Sequence, residues 1–249
     1  SLFKKSWINL FLRPFVSNVM WQGCSSIEIK DIKSCFYKAD CYELSDGIKS
    51  STFNSERSLN YIDVVKKYTN RDFSKVSDVV FSMGRLHEIK AFDKLIRSFS
   101  LLLENKPDVK LLIAGSDEGC KSFLIHEIKR LELLDSVFLI GQLDDIEKKE
   151  VLSNSSVFAL SSHVESFGIV VLEALASGLP VVISNKTIWN DLEKNKCGIF
   201  VSNKEDIFSQ ALLTALDTDY KTSDCVNYVR SRYDIDIVAN DFVKSFCSF

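Results

Sequence analysis

A succession of short apolar runs, most of them closed by glycine and followed by helical spacing, constrains the fold of this chain more than any other feature. Val79-Val80-Phe81-Ser82-Met83 ends at Gly84, Val109 to Ala114 ends at Gly115, and Val137 to Ile140 ends at Gly141. Val157 to Leu160 runs instead into Ser161-Ser162-His163-Val164, and Val181-Val182-Ile183 follows Gly178-Leu179-Pro180. Between the first two runs, Phe92, Leu95, Ile96, Phe99, Leu102 and Leu103 recur at helical spacing. Further helices are expected to about Leu133, from about Asp144 to Leu152, and after Gly168. Apolar strands alternating with helices predict an α/β fold, a parallel sheet covered by helices on both faces. Right-handed crossovers put every strand-to-helix loop on one edge, where such sheets bind ligands. Gly84-Arg85, Gly115-Ser116, Gly141-Gln142 and Ser161 to Gly168 are thereby expected together.

Within that edge, Glu165-Ser166-Phe167-Gly168-Ile169-Val170-Val171-Leu172-Glu173-Ala174 places two carboxylates eight residues apart around a glycine. Free backbone N–H groups at the helix start suit a phosphate. Glu165 sits just before that start and Glu173 one to two turns inside it. One anionic ligand with hydroxyls on either side of its phosphates would use all three features. Either Glu taken alone reads as a solvated residue that favours the helix dipole; the ordered string is what departs from that reading. Gly84-Arg85-Leu86-His87-Glu88-Ile89-Lys90 follows a strand directly. Glycine allows a close backbone turn, and the guanidinium of Arg85 with the ammonium of Lys90 would offset the charge of a departing diphosphate. The plainer alternative is two solvated cations on a loop.

At 249 residues and 46% hydrophobic content the chain can bury at least one sizeable core. A net charge of -3 gives no electrostatic case for nucleic acid as a partner. Seven cysteines form no C-x-x-C pair and none clusters with histidine at zinc spacing, so reduced thiols in a cytoplasmic protein are expected. No apolar run approaches the roughly 20 residues of a membrane span. Leu2 to Arg13 mixes bulky apolar residues with three cations and lacks a signal-peptide cleavage site. It reads first as a packed helix of a larger domain and second as a peripheral contact with the inner face of a membrane. The first residue is Ser, which suggests a truncated or processed product.

The Glu165–Ala174 string resembles the E-x7-E segment, E-x-F-G-x-x-x-x-E-A, of retaining glycosyltransferases of family four (glycosyl transferases group 1), which have the GT-B fold. Gly84 to Lys90 resembles the same family's G-R-L-x-x-x-K-G, with Ala91 in place of the last glycine. Leu112-Ile113-Ala114-Gly115, Val137 to Gly141 and Ala174-x-x-Ser177-Gly178-Leu179-Pro180-Val181-Val182 continue the resemblance, which runs from about Val79 to Phe249. It implies a Rossmann-like donor domain in which Arg85 and Lys90 hold the diphosphate of a nucleotide-sugar. Glu173 would accept the ribose hydroxyls and Glu165 the donor sugar's hydroxyls. Gly84, Ser166, Phe167, Gly168 and Ile169 would meet sugar and phosphate, and Gln142 and Leu143 would line the base pocket. A UDP-sugar is the favoured donor, with no separate cofactor and no metal, and a glycan or lipid-linked acceptor is implied. The usual Gly-Gly after Pro-Val-Val is replaced by Asn185 to Asp191. Trp189 within it reads as ordinary packing. Asp217-Thr218-Asp219 spells a D-x-D but follows an apolar helix, Ile207 to Leu216, and reads as a solvated helix end. His87 and His126 read as solvated, and His163 as a loop residue more readily than a sugar contact.

By the same resemblance, residues 1–47 are the last part of an incomplete N-terminal, acceptor-side domain, 48–76 a polar linker, 77–230 the donor domain, and 231–249 a helix returning toward the first domain. Ser25-x-x-Glu28 is a capping box opening a helix to about Phe36, and Asp40 to Leu44 a strand. The function implied is sugar transfer with retention of anomeric configuration, in surface polysaccharide or glycoconjugate synthesis. The alternative is a non-catalytic nucleotide-sugar-binding module, or a subunit completed by another chain. A dehydrogenase is disfavoured because no G-x-G-x-x-G follows the strands.

Overall fold

The computed structural model describes residues 19–54 and 59–247; the amphipathic stretch from Leu2 to Arg13 lies outside them. Met20–Gly23 (β1), Ser26–Cys35 (α1) and Asp40–Glu43 (β2) form a small unit in which the two strands pair in parallel. Ser25 caps α1 by accepting from the Glu28 N–H at 3.3 Å. The return bond of the expected capping box is shifted by one residue: Glu28 Oε2 accepts from the Cys24 N–H at 2.9 Å.

The main sheet follows the sequence pattern closely. Its strands are Val79–Met83 (β3), Lys110–Ala114 (β4), Val137–Gly141 (β5), Val157–Leu160 (β6), Val181–Ser184 (β7) and Gly198–Val201 (β8). They lie in the order β5-β4-β3-β6-β7-β8, every neighbour parallel. The order reverses between β3 and β6, so the crevice for a ligand opens beyond the carboxyl ends of those two strands. β8 was not expected. Its short sequence, Gly198-Ile199-Phe200-Val201, has only Gly198 buried, as suits an edge strand.

Apolar strands on both faces build two cores. Val79, Phe81, Leu112, Phe158 and Val181 point to one side. There they meet Tyr61–Thr69 (α2), Asp145–Asn154 (α5), Ile169–Ala176 (α6) and Thr222–Arg230 (α8). Val80, Leu111, Ile113, Val157 and Val182 point to the other, against Phe92–Leu102 (α3), Lys121–Arg130 (α4) and Glu205–Asp217 (α7). The alternation is the two-residue period of a strand made visible in packing.

The polar stretch 48–76, expected as a linker, carries the 3-10 turn Ser50–Asn54 and α2. Val64 and Val65 of α2 are buried in the first core, and Lys67 and Tyr68 both reach Glu147 on α5 at 2.6 Å. The polar residues there are the solvent face of an amphipathic helix. Chain crossings meet nearby: the Ile48 N–H donates to Tyr233 O at 3.0 Å, and the Ile235 N–H to Ile48 O at 2.9 Å. Ser50 also bonds the Asp234 carboxylate. The last helix, Ile235–Cys247 (α9), thus returns beside residues 47 and 48. Among the described residues no helix is long and apolar enough to cross a membrane.

Backbone bonds at two glycines position the edge of the sheet, and an ion cluster ties α3 to α4 over one face. The Gly84 N–H donates to Ala114 O at 2.9 Å, and the Gly115 N–H to Gly141 O at 2.7 Å. Gly115 has φ 152°, and a Cβ there would lie 1.8 Å from Gly84 O. Gly115→Ala is expected to cost about 3 kcal/mol or more in urea unfolding, because backbone rather than a movable side chain blocks the methyl. In that cluster Glu127 on α4 accepts from Arg130 at 2.9 Å and from Arg97 on α3 at 3.1 Å. Arg130 holds its carboxyl down to about 2, against burial and with help from Arg97. A depressed carboxyl stabilises the fold above its unfolded value and loses that contribution as pH falls through the folded one. The stability gap between wild type and Glu127→Gln is therefore expected to close between about pH 4.5 and about pH 2 in acid titrations of urea unfolding.

Candidate functional site

The reversal of strand order brings two loops side by side, Gly84 to Ala91 after β3 and Ser161 to Gly168 after β6. They are laced by backbone: the His163 N–H donates to Ile89 O at 2.8 Å, and Ser161 Oγ to Ala91 O at 2.9 Å. Between Gly84 and the expected helix at Phe92 the chain makes a 3-10 turn, Glu88–Lys90, capped by the His87 side chain. Ala91 then enters α3 at φ 51°, the left-handed conformation that glycine adopts most easily.

Lys90 and Glu165 meet in this crevice. Their Nζ and Oε2 atoms are 2.5 Å apart, and the side chains are only 13% and 15% exposed. Ser162 Oγ adds a long contact to Oε2 at 3.4 Å. Two glycines make the space. A Cβ at Gly84 would sit 3.3 Å from Lys90 Cε, and one at Gly168, where φ is 85°, would sit 3.0 Å from Glu165 Cγ. The lysine stem therefore crosses Gly84 and the glutamate folds back over Gly168.

Gly168 is the N-cap of α6 and offers no side-chain cap, so the helix start directly after the Glu165 loop carries uncapped partial positive charge. The peptide before it is held rigidly. Phe167 is buried, its carbonyl accepts from Trp189 Nε1 at 2.7 Å, and its ring stands edge-on to Trp189 and Tyr233. Trp189 is thus packed, as expected, but also hydrogen-bonded to the loop that carries the site. Ser166 is exposed, and the nearby Glu28 carboxyl of α1 is held below the usual range chiefly by the Cys24 N–H, with a lesser contribution from Ser166.

Glu173 lies on the same helix, in its second turn, and pairs with Lys148 on α5 at 2.7 Å. Lys148 was not anticipated. Burial pulls its ammonium down, but Glu173, with Asp145 at 3.2 Å, outweighs that and leaves it raised. Its only sequence signal is the capping box Asp144–Glu147 that starts α5 and fixes which way position 148 faces. Leu143 is half-buried against the first core, and Gln142 is exposed, both directly after β5. Arg85 is 63% exposed and engaged by Glu118 at 2.8 Å, so it does not join Lys90 here. Asn203 was also missed: its Nδ2 donates to Ser161 O at 3.1 Å and lies 3.4 Å from His163 Nδ1. Asp217 ends α7 and pairs with Lys106, as suits a helix end. A cavity of about 440 Å³ beside the first loop is lined by His87, Ile89, Phe92, Phe123 and His163 among others, and contains none of Lys90, Glu165 or Glu173.

The family described as Glycosyl transferases group 1 matches residues 69–232, more than half of the chain. The chain belongs to that family. The match includes every residue of the crevice from Gly84 to Glu173. Mannosylfructose-phosphate synthase of Agrobacterium fabrum is 30% identical over 139 residues, covering 53% of this chain and 31% of that protein. Alpha-monoglucosyldiacylglycerol synthase of Streptococcus pneumoniae is 26% identical over 247 residues, 98% of this chain and 54% of its own length. Among solved structures, HepE of Anabaena in complex with UDP and glucose superposes with a TM-score of 0.81 at 17% identity. That alignment covers 100% of this chain and 68% of HepE. The chain thus spans about a third to a half of the length of these curated relatives. Its architecture is that of GT-B glycosyltransferases, and the expected α/β fold with a parallel sheet is the one observed.

Trp189→Phe keeps the ring but leaves the buried Phe167 carbonyl without its donor. A loss of about 1–3 kcal/mol is expected in urea unfolding, the usual cost of orphaning a buried polar group.

Proposed function

We propose that this glycosyltransferase moves a sugar, with retention of anomeric configuration, from a nucleotide-diphosphate sugar to a glycan or lipid-linked acceptor. The observation that carries the reading is the crevice itself: Lys90, Glu165, the uncapped start of α6 and Glu173 in sequence along one sheet edge. A diphosphate would lie between Lys90 and the amides of Phe167 to Ile169, where fixed charge and dipoles cost no reorganisation. Glu173 would take the ribose hydroxyls, Glu165 the sugar hydroxyls, and Leu143 with Gln142 the base. Arg85 would turn from Glu118 to the phosphates when they arrive.

In the reaction the bond from the anomeric carbon to the β-phosphate oxygen breaks as the acceptor hydroxyl oxygen bonds the same face of that carbon. The acceptor proton passes to the departing phosphate oxygen. The chain's residues position the partners and balance charge, with no residue singled out as a covalent nucleophile. Lys90, joined by Arg85 once it turns from Glu118, would balance a diphosphate without a metal. A UDP-sugar is favoured by the likeness to HepE bound to UDP and glucose. A lipid-linked acceptor is supported by the relative named for a glucosylated diacylglycerol, and peripheral contact with the inner membrane face would follow from such an acceptor. A cytoplasmic place in surface polysaccharide or glycoconjugate synthesis accords with both.

Calorimetric titration with UDP, GDP and ADP in EDTA tests the donor site. One nucleotide is expected to bind, and Lys90→Ala to weaken it about 30–100-fold, equivalent to about 2–3 kcal/mol for a lost charge-assisted contact. Glu165→Gln releases Lys90 to the phosphates. Nucleotide binding should therefore hold or tighten while sugar transfer, followed by anomeric proton signals, falls at least about 100-fold. Binding without transfer would favour a non-catalytic nucleotide-sugar module, and binding of no nucleotide would overturn the site.

A further inference from the structure

We infer that Lys148 is a positioning residue of the donor site: it aims Glu173 at the ribose and couples the base-lining loop to the ribose carboxylate. This rests on the donor-site reading above. The pair bridges two helices, with Nζ of Lys148 on α5 2.7 Å from Oε1 of Glu173 on α6. The two side chains are 17% and 14% exposed, so solvent screens the pair little. Oε1 is occupied by the ammonium, which leaves Oε2 and the remaining lone pair of Oε1 to accept from hydroxyls of the ligand. Without that partner Glu173 would be free to rotate away from the ribose hydroxyls.

Lys148 is itself held in place from behind. The Asp144–Glu147 capping box starts α5, and Glu147 is gripped by Lys67 and Tyr68 of α2. Successive residues of α5 therefore face opposite neighbours, Glu147 toward α2 and Lys148 toward α6. Leu143, just before the cap, is the residue expected to touch the base, so one short rigid element joins the base loop to the ribose carboxylate. The pair is not needed to dock the helices. Val151 and Leu152 of α5 already share the first core with Leu172 and Ala176 of α6. The Asp145 carboxylate at 3.2 Å is almost fully exposed and cannot replace Glu173 as the buried partner.

The test compares Lys148→Met, Lys148→Arg, Glu173→Gln and the double variant Lys148→Met/Glu173→Gln in the full chain, by calorimetry with the nucleotide that binds and with inorganic pyrophosphate, alongside thermal melts. Lys148→Met is expected to weaken the nucleotide about tenfold or more and pyrophosphate less than about threefold, with Lys148→Arg restoring most of the loss. The double variant should bind the nucleotide about as well as Glu173→Gln alone, because both changes remove one coupled interaction. In the active enzyme the donor KM should rise with kcat nearly unchanged. A lowered melting temperature in Lys148→Met with wild-type nucleotide affinity would reduce the pair to a helix staple and overturn the inference alone. Unchanged nucleotide affinity in Glu173→Gln, or no nucleotide binding in the wild type, would bring down the donor-site reading and the inference with it.

Discussion

The pairing of β3 with β6 is the contact on which the site depends. Val80 faces Val157 and Phe81 faces Phe158 across two strands that are far apart in the chain. That adjacency exists only because the chain builds β3, β4 and β5 outward in one direction and then crosses back. At the reversal the helices that follow the two loops, α3 and α6, pack on opposite faces of the sheet, and the crevice opens beyond the strand ends between them. Both faces of β3 and β6 are buried in separate cores, so neither strand can shift by one residue without exposing its whole apolar set. The register that fixes the core therefore also fixes where Lys90 and Glu165 meet.

Charge is handled in the same crevice by pairing. Lys90 with Glu165 and Lys148 with Glu173 are both mostly shielded from solvent. A buried charge without a partner is costly, so each member of these pairs offsets the charge of the other and holds it in place. The same groups that hold the crevice together are those the proposed phosphorylated, hydroxylated ligand would address. Phe167 and Trp189 supply the stiff backing of the loop, the rigidity that its proposed role of offering amides to a ligand would need.

Much of the fold was legible from local signals. The strands β3 to β7 and the helices that follow them lie within a few residues of their expected positions, because strand period, helical spacing and glycine punctuation are properties of neighbouring residues. The edge strand β8 was missed because three apolar residues after a glycine carry too little pattern to stand out. The stretch 48–76 was read as a linker because α2 shows only a short apolar patch, and its place in the core is set by β5 and α5, not by its own composition.

By itself the sequence determined the alternation of elements, the glycines at the strand ends, and the ordered string that places Glu165 before a helix start and Glu173 within it. These follow from turn chemistry and periodicity over a few residues. Only the tertiary structure decided which charges pair. Lys90 finds Glu165 across 75 residues, Lys148 finds Glu173 across 25, and Trp189 reaches the Phe167 carbonyl across 22. It also sent Arg85 to Glu118 instead of to Lys90. The physical reason is that an ion pair or a buried hydrogen bond is specified by where two backbones come within a few ångströms. That distance is set by strand order and helix packing, which no stretch of sequence carries alone.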